Sequence, residues 1–354
     1  MTTAESTAIV LFNLGGPEDL AAVEPFLINL FSDREIIQLP GGPGLQPLMA
    51  RFIAKLRGPS VRQNYGLIGG GSPQLRITRA QAAALEARLN HDGEAGRHRV
   101  FIAMRYSQPS ADEALGAIAA AGIRRVVTLT LFPHFSRATT GSSRGAFERA
   151  LASPRWRDRR FDVTHVEHYA DDPGYLDAMS ETVRDAWTSI PEERRHQTVI
   201  LFSAHGLPQR FIDEGDPYVT HIQMTMFGIL ERLDLSNRYL LAYQSRTGPV
   251  RWLGPGTEEI LAELGSEGVT DVLVVPLSFV SDHIETLYEV DLLFAKVARA
   301  AGITGYYRPR ALNTSPRFID ALARLVTRHL AAPGGAMPER VNPPLEPARE
   351  QACA

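Results

Sequence analysis

Short apolar runs alternate along this chain with longer segments in which apolar residues recur at helical spacing. Seven runs predict β-strands, at residues 8–13, 100–104, 126–132, 161–165, 198–203, 239–243 and 271–279. Six segments between them predict helices, at residues 74–89, 111–121, 173–190, 218–233, 257–264 and 284–301. Strands that alternate with helices are typical of βα units, and this many units divide naturally into two mainly parallel sheets.

The predicted elements group into two domains and a tail. A charged, strand-free stretch around Pro154 predicts a boundary, so we assign residues 1–150 to a first domain and 151–307 to a second. Residues 315–331 have an amphipathic pattern and predict a helix that packs back on the first domain, to which we therefore assign 308–331. Residues 332–354 are rich in Pro and cannot bury much apolar surface, which predicts a disordered tail.

The bulk composition describes a globular protein and excludes several classes of function. Of the 354 residues, 44% are hydrophobic and 22% are charged, which is sufficient for two domains. The net charge of −3, without any lysine-rich tract, argues against a nucleic-acid partner. Cys353 is the only cysteine, so one chain cannot form a disulfide or a cysteine-ligated cluster by itself. Neither a signal peptide nor an apolar run of about 18 residues is visible, so we predict a cytoplasmic protein.

Two of the predicted strands lead into histidines. The first ends at His205, and the second is followed by His283, Glu285 and Glu289. If both are parallel strands of one sheet, their carboxyl ends lie at one edge, where open α/β sheets bind ligands. Imidazole and carboxylate groups suit a divalent first-row metal. The pattern therefore predicts a metal or proton-transfer site at this edge.

The same residues also have structural explanations. Asp282 and Glu285 fit a helix capping box in which Asp282 is the N-cap. Glu285 and Glu289 lie four residues apart and share one helix face, which could simply face solvent. His205 alone fits a hydrogen-bonded turn residue. The residue pattern by itself leaves both explanations open.

Three further segments have ambiguous patterns. Residues 69–73 and 139–143 are rich in Gly and Ser, but they lack a P-loop lysine and a dinucleotide-binding pattern, so we interpret them as a turn and a helix N-terminus. The apolar region that covers 26–30 and 40–53 is interrupted by Pro and Gly. It fits either ordinary core or a mobile lip over an apolar ligand.

Beyond these patterns, seven motifs closely resemble those of the ferrochelatase family. They occur in the family's order between residues 8 and 325, and they are Asn13-Leu14-Gly15-Gly16-Pro17, Ile68-Gly69-Gly70-Gly71-Ser72-Pro73, Thr139-Thr140-Gly141-Ser142-Ser143, Phe202-Ser203-Ala204-His205-Gly206-Leu207-Pro208, Gly215-Asp216-Pro217-Tyr218, Trp252-Leu253-Gly254-Pro255 and Val280-Ser281-Asp282-His283-Ile284-Glu285-Thr286-Leu287-Tyr288-Glu289. The resemblance implies an α/β fold of two similar Rossmann-like, chelatase-like domains, each a parallel sheet flanked by helices, with a cleft between them. It also implies insertion of Fe²⁺ into protoporphyrin IX to form protoheme, with release of two protons.

The resemblance also implies roles for individual residues. His205 and Glu285 resemble the family's catalytic and metal-handling pair, and Glu289 resembles the next member of an acidic metal relay. Leu293 stands where another family pattern has a further carboxylate, which puts the outer relay in doubt. Asp282 and His283 resemble a supporting network. The residues that resemble porphyrin contacts are Leu14, Arg57, Arg105, Tyr106, Tyr218 and Trp252.

The expected partners follow from the same resemblance. Some members carry a [2Fe–2S] cluster, but Arg137 occupies the position of one of its cysteines, so we expect no cluster and no permanently bound cofactor. The dimerisation segment of those members is also missing, which favours a monomer. The membrane solubility of the substrates leaves open a peripheral contact with lipid. Alternative functions are a coproporphyrin III ferrochelatase, a cobalt chelatase and a non-catalytic tetrapyrrole or metal carrier.

Overall fold

A computed structural model describes residues 6–91, 96–246 and 250–331 of the chain. Within them lie eight β-strands, numbered in chain order: β1 Thr7–Asn13, β2 His98–Met104, β3 Arg125–Thr130, β4 Asp162–Val166, β5 Val199–His205, β6 Tyr239–Gln244, β7 Asp271–Pro276 and β8 Gly305–Tyr307. The first seven correspond to the seven predicted strands. The three residues of β8 are too few to give a periodic signal in the sequence.

Twelve α-helices and two π-helical segments connect the strands in the described part of the chain. The α-helices are α1 Val23–Ser32, α2 Gly42–Leu67, α3 Gln74–Leu89, α4 Ala111–Ala120, α5 Ser142–Leu151, α6 Pro173–Ser189, α7 Glu192–Arg195, α8 Gln209–Asp213, α9 Tyr218–Leu233, α10 Thr257–Ser266, α11 Ala295–Ala300 and α12 Pro316–Ala331. The π-helical segments are Arg137–Gly141 and Glu285–Phe294.

The strands form two parallel four-stranded sheets with the same topology. The first has the order β2-β1-β3-β4 and the second the order β6-β5-β7-β8. In each sheet the first strand lies between the second and the third, so the chain changes direction across the sheet at the carboxyl end of β1 and of β5. The two sheets confirm the predicted fold class of two similar parallel α/β halves.

The fourth strand shows where the first half of the chain ends. β4 pairs with β3, so the first sheet extends to Val166. A boundary placed after residue 150 would separate this strand from its sheet. The sequence misplaced it because the charged stretch around Pro154 is a surface connection within the first half, between α5 and β4.

The central strands are apolar because helices cover both of their faces. All seven residues of β1 are buried, as are six of the seven in β5. Parallel sheets buried on both sides are expected to have such continuous apolar strands. In β5, only the last residue, His205, reaches partial exposure. The buried strands therefore fix the positions of the residues that follow their carboxyl ends.

The apolar region at residues 26–30 and 40–53, which fits either core or a mobile lip, belongs to the helical pair α1 and α2. α2 continues through Pro47 and Pro59, although proline in a helix interior removes a backbone hydrogen bond. The buried Gln46 side chain donates to the carbonyl oxygens of Phe31 and Ile37 and thereby holds the connection between the two helices. The Gln46 hydrogen bonds join residues that are distant along the chain. The local pattern of Pro and Gly, which suggested an interrupted segment, therefore could not predict them.

α2 exposes a row of large apolar side chains, which we call the α2 stripe. It consists of Leu45, Leu48, Phe52 and Leu56, which are 50%, 64%, 59% and 65% exposed. Their spacing of three and four residues places them on one helix face. The opposite face buries Ala50 and Ala54 against α1. The stripe is therefore surface rather than core.

α12 packs against α3, which covers the first sheet, and against α6. Arg88 of α3 pairs with Asp320, and Glu181 of α6 pairs with Arg317. The predicted disordered tail, residues 332–354, lies outside the described residues. No helix in the described ranges is long and apolar enough to cross a membrane.

Candidate functional site

His205 ends β5 next to β7, which places it where the sequence predicted a site. Its backbone N–H donates to the Ser278 hydroxyl at 2.7 Å, and the Tyr218 hydroxyl donates to its carbonyl oxygen at 3.0 Å. The hydroxyls of Tyr218 and Ser278 are themselves 2.7 Å apart. These bonds fix the backbone of His205, while its Nδ1 has no hydrogen-bond partner.

The loop after β7 brings a second imidazole to the same edge. The Phe279 ring lies between His205 and His283, with centroid distances of 5.7 Å and 4.0 Å. Nδ1 of His283 donates to the Ser281 carbonyl at 3.0 Å, and its Nε2 lies 2.8 Å from Oε2 of Glu285. Both ring nitrogens therefore lie close to oxygen atoms.

The titratable groups of this edge have pKa values that diverge. Burial lowers the pKa of His205, against the opposing effect of Glu285, so the imidazole is neutral at pH 7. Burial acts to raise the pKa of Glu285, but the charge and hydrogen bonding of His283, together with His205, outweigh it and give about 2. Burial and the negative charge of Glu285 raise the pKa of Glu289 to about 7. Such divergence is typical of sites that move protons.

Glu285 and Glu289 belong to the π-helix Glu285–Phe294, an element often found at functional sites. Ser245, which follows β6, donates from its hydroxyl to Oε2 of Glu289 at 2.6 Å. The backbone of Ser245 has a φ of +62°, a left-handed conformation that non-glycine residues rarely adopt. Ser245, with its strained backbone, thus holds the carboxylate of Glu289.

The predicted capping box is absent at the start of this helix. The N–H of Asp282 donates to Oδ1 of Asn313, and the Asn313 amide donates back to the Asp282 carboxylate. Thr286 also donates to Asp282. Glu285 therefore does not cap the helix, because the side chain of Asn313 takes the backbone N–H that a capping box would use and leaves Glu285 to His283. Asp282 is thus bonded to Asn313 and Thr286, and His283 lies beside Glu285.

Two of the six residues expected to contact porphyrin are held by the Asp33 carboxylate. The Asp33 carboxylate accepts from Arg105 Nη2 at 2.7 Å, from the Tyr106 hydroxyl at 2.6 Å and from the Ser142 hydroxyl at 2.6 Å. Arg105 and Tyr106 line a cavity of about 600 Å³ beside α1. Their hydrogen bonds lead to Asp33.

The other four expected residues occupy different environments. Tyr218 is only 4% exposed, and its hydroxyl donates to the His205 carbonyl oxygen. Trp252 lies against the backbone of Gly206, next to His205. Leu14 packs in a cluster that includes Ile284. Arg57 is exposed on α2, with its guanidinium 6.0 Å from the Phe31 ring.

Several residues of the site were not recognised from the sequence. Tyr65 of α2 is buried within electrostatic reach of Glu285, and burial followed by that negative charge raises its pKa. Ser245 and Phe279 were visible only as strand ends, and Asp33 only as one of many acidic residues. Each acts through a contact between segments distant in sequence, so no local signal marks them. Among the described residues, no three His, Cys, Asp or Glu side chains form a metal cage.

The chain is similar to proteins of known family over most of its length. A family model described as Ferrochelatase matches residues 6–330. A ferrochelatase of Geotalea daltonii is 50% identical over 324 residues, which cover 91% of this chain and 98% of that protein. A ferrochelatase of Synechocystis is 47% identical over 92% of this chain and 83% of its own length.

Solved structures bear on the fold alone. SirB from Bacillus subtilis with Fe³⁺ has a TM-score of 0.50 and 12% identity, covering 91% of this chain and 95% of SirB. The sequence similarity carries the stronger conclusion: the chain belongs to the ferrochelatase family and is an enzyme of that metal-inserting class.

Proposed function

We propose that this ferrochelatase-family enzyme inserts Fe²⁺ into protoporphyrin IX to form protoheme. In the reaction, two pyrrole N–H protons leave the macrocycle and the four nitrogens bind the iron, with no change in its oxidation state. The proposal rests mainly on the convergence of His205, Glu285 and Glu289 at one sheet edge with divergent pKa values. Iron is the substrate here, not a resident cofactor.

His205 is the group best suited to receive a pyrrole proton. It is neutral at pH 7 because burial lowers its pKa, so one of its two ring nitrogens carries no proton. A general base needs such a free lone pair and a backbone that does not shift during transfer. Tyr218 and Ser278 provide the fixed backbone.

Glu285 and Glu289 are suited to pass the metal or protons inward along the π-helix. Glu285 is ionised, whereas Glu289 has a pKa of about 7 and exchanges its proton readily near neutral pH. Carboxylate oxygens bind Fe²⁺ without the permanence of a closed cage, so the ion can leave for the porphyrin. Leu293 lacks a ligand atom, so we propose that the relay begins at Glu289.

Protoporphyrin IX is favoured over coproporphyrin III by the state of the predicted arginine contacts. Arg105 is already paired with Asp33, so it is not a free partner for an additional propionate. Protoporphyrin has two propionates and coproporphyrin has four, and each favours a guanidinium partner.

A metalation assay with purified protein tests these assignments. We expect Fe²⁺-dependent conversion of protoporphyrin IX to heme, and a smaller kcat/KM for coproporphyrin III. His205→Ala should lower kcat at least a hundredfold while the porphyrin still binds, as expected for loss of general base catalysis. His196→Ala is the matched control, because His196 is exposed and distant in the fold. An unchanged rate in His205→Ala would remove His205 from the mechanism.

The same assay separates the rival functions. A non-catalytic carrier would bind porphyrin without turnover, and both His205 and Glu285 would then be dispensable. A cobalt chelatase would show a higher kcat/KM for Co²⁺ than for Fe²⁺ with its natural tetrapyrrole. Since Cys353 is the only cysteine, we propose that the active enzyme needs no [2Fe–2S] cluster. Protein purified without bound iron or cluster should therefore be fully active once Fe²⁺ is supplied as the substrate.

Peripheral membrane contact is a separate proposal and rests on the α2 stripe. Four exposed large apolar side chains on one helix face form a surface that an acyl-chain boundary would cover. Replacing Leu48 and Phe52 with serine should abolish sedimentation with phospholipid vesicles and leave the thermal midpoint unchanged. We further propose a cytoplasmic monomer, which should elute in size-exclusion light scattering at the mass of one chain.

A further inference from the structure

A second cavity lies where three separate segments converge outside the catalytic edge. Its volume is about 460 Å³, and its lining includes the guanidinium-bearing residues Arg34, Arg137 and Arg210 and the carboxylates Glu35 and Glu214. The arginines come from the α1–α2 connection, from the π-helical turn before α5, and from α8. The cavity therefore joins residues of the first half to residues that follow β5.

The two carboxylates of this cavity are already neutralised. Glu214 accepts from Arg137 at 2.7 Å. Glu35 is paired with Arg149, outside the cavity lining. These two ion pairs neutralise both carboxylates of the cavity. Neither carboxylate therefore balances the positive charge of Arg34 or Arg210.

Arg34 and Arg210 have no carboxylate partner in the described part of the chain. Both are only partly exposed. Nη1 of Arg34 is buried without a hydrogen-bond partner, and Arg210 makes one hydrogen bond, from Nη2 to the Ile36 carbonyl. A partly desolvated cation without a counter-charge is costly, and an anion between the two would offset that cost.

The cavity is also organised before any ligand enters. The guanidinium carbons of Arg137 and Arg210 each lie 5.3 Å from the centroid of the Phe211 ring. Cation–π contacts of this kind restrict the positions of long side chains. The planar forks of arginine match the oxygens of phosphate and carboxylate groups.

We propose that this cavity binds a small oxyanion, a phosphate or a carboxylate, between Arg34 and Arg210. The bound anion would link the α1–α2 connection to α8, which begins four residues after His205. This site is independent of porphyrin metalation, so it can be tested in the absence of iron and porphyrin, whether or not the proposed function holds.

The test is calorimetric titration of the full-length protein with inorganic phosphate and, separately, with citrate, at ionic strength held constant with NaCl. We expect saturable binding of at least one anion, and the anion bound more tightly identifies the oxygen geometry that the site prefers. Arg34→Gln and Arg210→Gln should each raise Kd at least tenfold. Arg299→Gln, an exposed arginine on α11, should leave Kd unchanged.

Two outcomes would overturn the proposal. One is the absence of saturable binding by either anion, and the other is equal affinity in all three variants and the parent protein. Thermal midpoints without anion show whether each variant is folded. Because Arg34 and Arg210 lie on different segments, either variant alone is sufficient if the other fails to fold.

Discussion

Replacing Glu289 with glutamine removes a carboxyl group whose pKa the fold raises to about 7. Burial is the largest cause, and the charge of Glu285 adds to it. Glutamine has nearly the same shape and keeps an oxygen that can accept from the Ser245 hydroxyl. The substitution therefore deletes the ionisation and leaves the packing and the hydrogen bond in place.

The size of the effect follows from the two pKa values. In the unfolded chain a glutamate ionises near 4.5, whereas folded Glu289 keeps its proton until about pH 7. Between these values the folded state binds more protons, so stability falls as pH rises through the window. At about 1.4 kcal/mol per pKa unit the penalty above pH 7 is at most about 3 kcal/mol, since partial exposure screens some of it.

Differential scanning calorimetry at pH 5 and pH 8 measures this penalty. At pH 5 most of the penalty is still absent, so the thermal midpoint of Glu289→Gln should exceed that of the parent by only about 1 °C. At pH 8 it should be higher by up to about 4 °C, the shift that about 3 kcal/mol produces in a chain of 354 residues. Glu231→Gln, an exposed glutamate on α9, serves as the control and should show no pH-dependent difference. A stabilisation of equal size at both pH values would refute an elevated pKa for Glu289.

Three further outcomes are expected. Tyr218→Phe loses the hydroxyl that donates to the His205 carbonyl, which should destabilise the fold by about 1 kcal/mol in chemical denaturation and lower kcat more than it changes KM. Burial lowers the pKa of His221 to about 4, so stability should fall as pH decreases from 6.5 to 4, and His221→Asn should flatten that part of a pH-dependent thermal melting profile. Gly71→Ala would place its Cβ 2.1 Å from the Glu18 carbonyl oxygen, so its thermal midpoint should drop by several degrees; an unchanged midpoint would show that the two loops can separate.

The position of the candidate site was predictable because its determinants are local. Continuous apolar runs predict buried parallel strands, and a residue that ends such a strand lies at the edge where ligands bind. His205 and the segment from Asp282 to Glu289 were found in this way. The family motifs then identified the substrate class, which spacing alone could not.

Tertiary structure decided whether Glu285 caps the helix or lies beside His283. Its spacing from Asp282 fits a capping box equally well, and only the approach of Asn313 from 31 residues away decides against it. The pKa of Glu289 likewise depends on how much water the folded cleft excludes and on its distance from Glu285. The unfolded chain has neither this exclusion of water nor this short distance, so the pKa of Glu289 is raised only in the folded state.

By itself, the sequence determined the number and type of most elements, the parallel arrangement and the two strand ends that carry the candidate site. Only the tertiary structure decided that α2 runs through its prolines, that Asp33 holds Arg105 and Tyr106, and that two arginines share a cavity without a counter-charge. The physical reason is the range of the forces. Hydrophobic periodicity acts over a few neighbouring residues, whereas hydrogen bonds and charges join side chains that only folding brings together.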